Sequence, residues 1–459
     1  MNPADLGVVD ASQLLAARKL SAHELMQACL DRIRERDGRH SFDGDPASIN
    51  AWVRVYEDDA LAAAAAAAPP DESAPLRGVA IGLKDLYAVA GRPLTASSRI
   101  LAEVPQRDCE VWARLRAAGL ILVVHLHTHE FAAGGTTDQV GNPWALDRSA
   151  GGSSGGSAAA LAARMVPAAM GTDTAGSLRI PSAFCGTSTI KPTRGLLPTR
   201  GIVPLAFTLD HPGPMARSID DCAALLGALV PRRATSASLA GARIVVSPRA
   251  AGAALDADTA TDFDAALASL TQLGARLVAA PPTPPLDAFD DYGLVLHAEI
   301  DTYHRRFADR RAEYRPSLRE WVERAGSLTA SASDYAAAQS RRIELAAAWD
   351  DWFRAERIDA LVEPTVPSVA WPRGAGYDRA GSDLALISLT HYWNWAETPV
   401  AALPAGIGAV TGLPVGVSLV GRRGGDWELL ALASQLQREL GTAQPAWHGA
   451  GRAADRGAN

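Results

Sequence analysis

Two serine-bearing glycine loops carry the chemical content of this chain. One reads Gly151-Gly152-Ser153-Ser154-Gly155-Gly156-Ser157, and the other Gly171-Thr172-Asp173-Thr174-Ala175-Gly176-Ser177-Leu178-Arg179. Glycine has no Cβ and admits positive φ, so such loops let a ligand come close to the backbone. Backbone N–H groups at a helix start can then face a negative charge. Hydroxyls beside unpaired N–H donors are what acyl transfer requires: a nucleophile, and donors for the oxyanion it creates. Ser177 follows a glycine at the expected first turn of a helix, and the N–H groups of Thr174, Ala175, Gly176 and Ser177 can converge on one point. The same serine also reads as a helix cap.

A serine nucleophile needs a base. His125, His127, His129 and His211 are candidates. Lys84 is the stronger one, because lysines are few and this one ends the apolar run Gly78-Val79-Ala80-Ile81-Gly82-Leu83. Burial and nearby positive potential lower a lysine's pKa enough for it to act as a base. Its other reading is a paired lysine at a sheet edge. The alternation His125, His127, His129 raises a metal reading, but no second ligand cluster accompanies it, and no metal is expected.

The elements that must position these residues alternate in type. Residues 1–75 read as a helical region, with the capping-box pattern Ser21-Ala22-His23-Glu24 ahead of the stripe Leu25, Ala28, Cys29, Ile33. A strand over 50–56 and an alanine-rich helix over 61–68 follow, the latter stopped by Pro69-Pro70. Residues 76–230 hold the two loops: strands over 78–83, 120–124 and 165–170, helices over 108–118, 157–164 and 177–183, and a loop over 209–217 stiffened by Pro204, Pro212 and Pro214. The stretch 231–240 reads as a surface linker. Residues 231–459 continue the same domain, with strands over 243–247, 276–279, 358–362, 399–404 and 413–420, helices over 259–273 and 427–440, and a helical insert over 286–356 placed to cap the site or cover the sheet. The tail beyond 441 is expected to be poorly ordered. Strand–helix–strand alternation argues an α/β fold.

Composition sets the outer bounds. The 459 residues are 48% hydrophobic and 21% charged, with a net charge of −7, which implies no basic face for nucleic acid. Arg305-Arg306-Phe307-Ala308-Asp309-Arg310-Arg311 mixes its arginines with an acid and reads as a solvated surface. Cys29, Cys109, Cys185 and Cys222 are far apart, without metal or disulfide spacing, and read as buried thiols of a reducing cytoplasm. No secretory leader or uninterrupted apolar run of membrane-spanning length is seen, so no membrane association is expected.

The ordered set of motifs resembles the amidase signature family, serine hydrolases with a Ser–cisSer–Lys triad, over nearly the whole chain. Besides the two loops it includes Gly78 to Asp85, Asn142-Pro143-Trp144, Lys191-Pro192-Thr193-Arg194-Gly195, Asp210-His211-Pro212-Gly213-Pro214-Met215-Ala216-Arg217, Leu403-Pro404-Ala405-Gly406 and Gly412-Leu413-Pro414-Val415-Gly416. The resemblance implies a large mixed twisted β-sheet covered by helices on both faces. It implies Lys84 as the catalytic lysine, Ser153 as the cis-peptide serine and Ser177 as the nucleophile, the serines lying 24 residues apart. Ser154, Thr172, Asp173 and Arg179 are supporting residues, and the backbone from Thr174 to Ser177 forms the oxyanion hole. Neutral Lys84 would take a proton from Ser153, which takes that of Ser177 as it attacks the carbonyl; water then cleaves the acyl-enzyme. No cofactor is implied.

Three departures from the family pattern bear on specificity. Ala175-Gly176-Ser177 stands where many members have Gly-Gly-Ser. The loop over 131–142, with candidate substrate-binding residues Ala132 and Gly134, is shorter than in the catalytic subunits of glutamyl-tRNA amidotransferases. Residues 391–399 are unusually aromatic where members often have Asn-x-x-Gly-x-Pro. There Trp393 and Trp395 are substrate-binding candidates for an aryl or bulky hydrophobic group, or a core cluster. The expectation is a cytoplasmic amidase, monomer or homodimer, acting on small carboxamides, aryl amides or carbamates. The alternative is the amidase subunit of a glutamyl-tRNA amidotransferase. A phosphate-cradling module is disfavoured, since the order G-x-x-x-x-G-K-[ST] is missing.

Overall fold

The computed structural model describes residues 2–374 and 384–445. Its strands, in chain order, are β1 (Trp52–Val55), β2 (Ala80–Lys84), β3 (Ile121–Leu126), β4 (Gly141–Asn142), β5 (Ala145–Ser149), β6 (Ala168–Asp173), β7 (Ser188–Lys191), β8 (His211–Ala216), β9 (Arg243–Val246), β10 (Arg276–Val278), β11 (Ala360–Pro364), β12 (Val400–Ile407) and β13 (Pro414–Val420). Eleven form one sheet in the order β1-β3-β2-β6-β8-β7-β12-β13-β11-β9-β10, and β4 pairs with β5 as a separate ribbon. β2 runs parallel to both β3 and β6, while β6, β8, β7, β12, β13 and β11 are antiparallel in succession. The sheet is therefore mixed. Its central strands β2, β6, β7, β8, β11 and β13 are buried at every residue, which is why β2 reads as a continuous apolar run rather than an alternating one.

Helices Gly155–Ala162 and Arg179–Cys185 pack together against the sheet. Helices Ile219–Leu229, Ala257–Gln272 and Asp426–Leu440 form a second layer. The first helix consists of glycine, alanine, serine and one leucine, all buried. Small residues let it approach closely: a Cβ at Gly156 would stand 2.5 Å from the Ala51 carbonyl oxygen. The insert forms helices Phe289–His304, Pro316–Gly326 and Ala332–Ala355, with a 3₁₀ segment Arg305–Glu313. There Arg305, Arg306 and Arg310 pair at the surface with Asp301, Glu103 and Glu313.

Most expected elements recur with ends shifted by one to four residues. The capping box is present in full: Ser21 Oγ accepts from the Glu24 N–H, and the Glu24 carboxylate accepts from the Ser21 N–H at 2.8 Å. One expectation is corrected. The loop over 209–217 is the interior strand β8, paired with β6 from Ala168↔Ala216 to Asp173↔His211. Its prolines are accommodated because β7 pairs only with Met215 and Ala216. Pro212 and Pro214 lie beyond that pairing, where no N–H is needed on the β7 side. The Pro214 carbonyl still accepts from Thr189 Oγ1 at 2.8 Å. The four cysteines are buried free thiols. Among the described residues no helix is long and apolar enough to cross a membrane. The expectation for the tail falls largely on residues 446–459, outside the described residues.

Candidate active site

Lys84 is the last residue of β2, between β3 and β6, and its side chain is fully buried. Its Nζ donates to Ser153 Oγ at 2.7 Å, Thr172 Oγ1 at 2.9 Å and Ser154 Oγ at 3.0 Å. Among the described residues, three hydroxyls and no carboxylate thus bond to the amine. Burial lowers its pKa to about 7, against the opposing pull of Asp210 and Asp173. An amine at that value is half neutral near pH 7 and can accept a proton.

The Gly152–Ser153 peptide is cis. No Cβ fits at Gly152, where it would lie 2.1 Å from the Thr136 carbonyl oxygen. The Ser153 carbonyl accepts from the His129 N–H at 3.0 Å and from Thr137 Oγ1 at 3.2 Å, so the loop after β3 clamps the serine loop. The Ser154 N–H donates to the Ser177 carbonyl at 3.2 Å, which ties the two serine loops together.

Ser177 lies in the turn between β6 and helix Arg179–Cys185 and is 5% exposed. It does not cap that helix. The N-cap is Leu178, whose N–H donates to Asp173 Oδ2 at 3.1 Å. The N–H groups of Ala175, Gly176 and Ser177 meet no acceptor among the described residues. They are available as the donors an oxyanion needs. Gly176 has φ +143°, and a Cβ there would stand 2.4 Å from Thr390 Oγ1, so glycine is required. Thr390 Oγ1 in turn donates to the Ala175 carbonyl.

The turn is held from beneath by a buried ion pair. Arg179 Nε and Nη2 each donate to one oxygen of Asp173, both at 2.9 Å. Burial alone would raise the Asp173 carboxyl; the Arg179 guanidinium, Lys191 and the Asn394 amide outweigh it and hold it well below the usual carboxylate range. The sequence reading missed Asn394. Its Nδ2 donates to Asp173 O at 2.9 Å and Oδ1 at 2.8 Å, while its Oδ1 accepts from Arg179 Nη2 at 2.6 Å. The signal was the asparagine of the Asn-x-x-Gly-x-Pro pattern. Asp210 was also missed as a contact of the turn: it accepts from Thr174 Oγ1 at 2.5 Å.

The rings of the histidine candidates have partners of their own, with His211 also 3.2 Å from the Asp173 carbonyl at the root of the turn. His125 Nδ1 meets Tyr56 OH at 2.7 Å, His127 Nδ1 meets Ser97 Oγ at 3.1 Å, and His129 Nδ1 meets the Thr136 carbonyl at 2.8 Å. Burial lowers them to about 4, 3 and 3. His211 donates from Nδ1 to the Leu209 carbonyl at 2.6 Å, and burial pushes it well below its ordinary value. Among the described residues no three His, Cys, Asp or Glu side chains gather to hold a metal ion.

Of the substrate-binding candidates, Ala132 is buried at φ +64°. Gly134 stands over the His129 ring, 2.3 Å from where its Cβ would be. Trp393 and Trp395 are corrected: they belong to the core. Helix His391–Trp395 turns both beneath helix Ala332–Ala355. Trp393 is fully buried against Trp349 and Tyr392 and donates from Nε1 to Glu363. Trp395 packs against Tyr292, with the Arg342 guanidinium 5.2 Å from its ring centre. What this segment offers the site is Thr390 and Asn394.

Known proteins agree with this architecture. The family model described as Amidase matches residues 42–430. One subunit of the glutamyl-tRNA(Gln) amidotransferase of Anaeromyxobacter dehalogenans (strain 2CP-C) is 35% identical, covering 95% of this chain and 96% of that protein. A 6-aminohexanoate cyclic dimer hydrolase superimposes with a TM-score of 0.83 at 26% identity, over 97% of this chain and 99% of its own. The peptide amidase of Stenotrophomonas maltophilia gives 0.79 at 26% identity, again over 97% and 99%. With a family match spanning both serine loops and Lys84, and relatives aligned along almost its full length, the chain belongs to the amidase family.

Proposed function

We propose that this chain hydrolyses an amide C–N bond through an acyl-enzyme on Ser177, with Ser153 as relay and Lys84 as base. The observation that carries the reading is the enclosed Lys84 amine, bonded to Ser153, Ser154 and Thr172 and, among the described residues, to no carboxylate. Once Lys84 has lost its own proton, its lone pair accepts from Ser153 Oγ–H across the same 2.7 Å contact. Lys84 takes the Ser153 proton, and Ser153 takes that of Ser177. Ser177 Oγ then bonds to the substrate carbonyl carbon. The charge on the carbonyl oxygen is met by the free N–H groups of the turn. The relay returns its proton to the leaving nitrogen as the C–N bond breaks, and water releases the acid.

For the substrate, the reading is a small carboxamide, with carbamates in the same class. A second reading, amidase subunit of a glutamyl-tRNA amidotransferase, is favoured by the 35% identity to a protein of that name over nearly the full length. One experiment separates them. Purified chain is assayed on primary amides, anilides, carbamates and glutamine, with a fluorophosphonate probe and the variant Ser177→Ala. Anilide cleavage without ammonia release from glutamine supports the first reading, and the reverse supports the second. A fully active Ser177→Ala variant refutes both.

A further inference from the structure

Besides the bonds from Thr390 to the Ala175 carbonyl and from Tyr292 OH to the Thr174 carbonyl, the turn that carries Ser177 is gripped by two carboxylate- and amide-based contacts from segments far apart in sequence. On one side Asn394 bridges Asp173 and Arg179 at the root of the turn. On the other, Asp210 binds Thr174 Oγ1 at 2.5 Å and the Leu205 N–H at 3.0 Å. Asp210 thereby fixes the turn to loop 205–210. The same loop is held outward at Thr208, which donates from its N–H and Oγ1 to Glu299 at 2.9 and 2.5 Å.

The Asn394 and Asp210 grips both trace back to one side chain. Arg342 lies on helix Ala332–Ala355 and is 1% exposed. Its Nε donates to the Trp395 carbonyl at 3.2 Å and its Nη2 to the Asn394 carbonyl at 3.3 Å. Its Nη1 donates to the Thr208 carbonyl at 2.9 Å. Glu397 fixes the guanidinium at 3.4 Å and is itself bound by Arg423 at 3.1 Å. A planar fork with donors on three nitrogens can serve three carbonyls on two segments at once, whereas an ammonium is a point donor.

We infer that Arg342 is a positioning residue for the oxyanion turn, acting through Asn394 on one side and through Thr208 and Asp210 on the other. The helical insert then sets the geometry of the N–H groups of Ala175, Gly176 and Ser177. This rests on the reading of Ser177 as the nucleophile. A misplacement of about 1 Å in a catalytic group costs on the order of 100-fold in rate, and it falls on the chemical step rather than on initial binding.

The test is phosphonylation of Ser177 by a fluorophosphonate, resolved into the maximal rate constant and the half-saturating probe concentration. Wild type, Arg342→Gln and Arg342→Lys are compared, with folding checked by circular dichroism and thermal melting. The rate constant is expected to fall ~100-fold in the glutamine variant and ~10-fold in the lysine variant, with half-saturation within about twofold of wild type. If the glutamine variant does not fold, the lysine variant, which keeps the charge beside Glu397, decides. Folded variants labelled at the wild-type rate, or a loss confined to half-saturation, overturn the inference alone. A wild type that is not labelled at Ser177 overturns the reading of the nucleophile and this inference with it.

Discussion

Replacing Lys84 with methionine isolates what its buried amine costs the fold. Methionine keeps much of the stem's volume and removes the amine. In the unfolded chain Lys84 holds its proton up to 10.5, while in the fold burial brings it to about 7. Between those values the unfolded state binds one proton more than the folded state. Stability therefore rises with pH in that window, by about 1.4 kcal/mol per pH unit and about 5 kcal/mol across it. Below pH 7 the fold carries the whole penalty. The methionine variant escapes it, but removes one hydrogen bond from each of Ser153, Ser154 and Thr172, at about 1 kcal/mol each. Near neutral pH the two proteins should then lie within roughly 1–2 kcal/mol of each other, unlike most deletions of a buried hydrogen-bonding group. Between about pH 7 and about pH 9.5 wild type should gain about 3 kcal/mol over the variant. Urea denaturation of both proteins at both pH values measures this, because other titrating groups cancel in the difference. A difference that does not change with pH would refute a buried Lys84 that loses its proton near neutral pH, whatever the variant's activity.

Two further outcomes follow from the site and its surroundings. The rate of Ser177 labelling should rise through pH 7 as Lys84 loses its proton, and Asp210→Asn should move this limb to lower pH, because Asp210 is the leading charge that raises Lys84; a limb that stays in place would show that Asp210 does not act on the lysine. Trp393→Phe keeps the ring packing but takes the Nε1 donor from Glu363, whose other oxygen already lacks a partner, so the variant should lose roughly 1–3 kcal/mol in denaturation with its ranking of aryl and alkyl amides unchanged. A changed ranking would place Trp393 at the substrate after all.

What was legible in the sequence was whatever depends on local composition. Paired glycines around serines, an apolar run ending in lysine and a Ser-x-x-Glu cap each state their conformation within a few residues. Lys84 and Thr172 lie far apart in the chain, yet the run that became β2 and the one that became β6 are neighbours in the sheet, and that placed the amine beside the threonine hydroxyl. The misreadings have a common physical cause: they turn on long-range pairing. Two prolines in six residues read as a loop until it is seen that β7 flanks only the far end of β8. The aromatic run reads equally as a binding wall or as core, and only helix Ala332–Ala355, packed over it, settles which way the indoles face. Asn394 and Asp210 each stand in a segment that the sequence marks out, but their contacts with the turn cross 221 and 36 residues of chain, which no local pattern encodes.

The order of the sheet also bears on self-association. An extended sheet of eleven strands is at risk of growing by strand addition at its two open sides. Here one side is β1, four residues long and bulged between Trp52 and Arg54. The other is β10, three residues long, beginning at an exposed arginine. Short, irregular or charged borders offer a poor template to an incoming strand. The long regular strands that could template a fibril are all interior, so aggregation through the sheet requires a border strand to detach first.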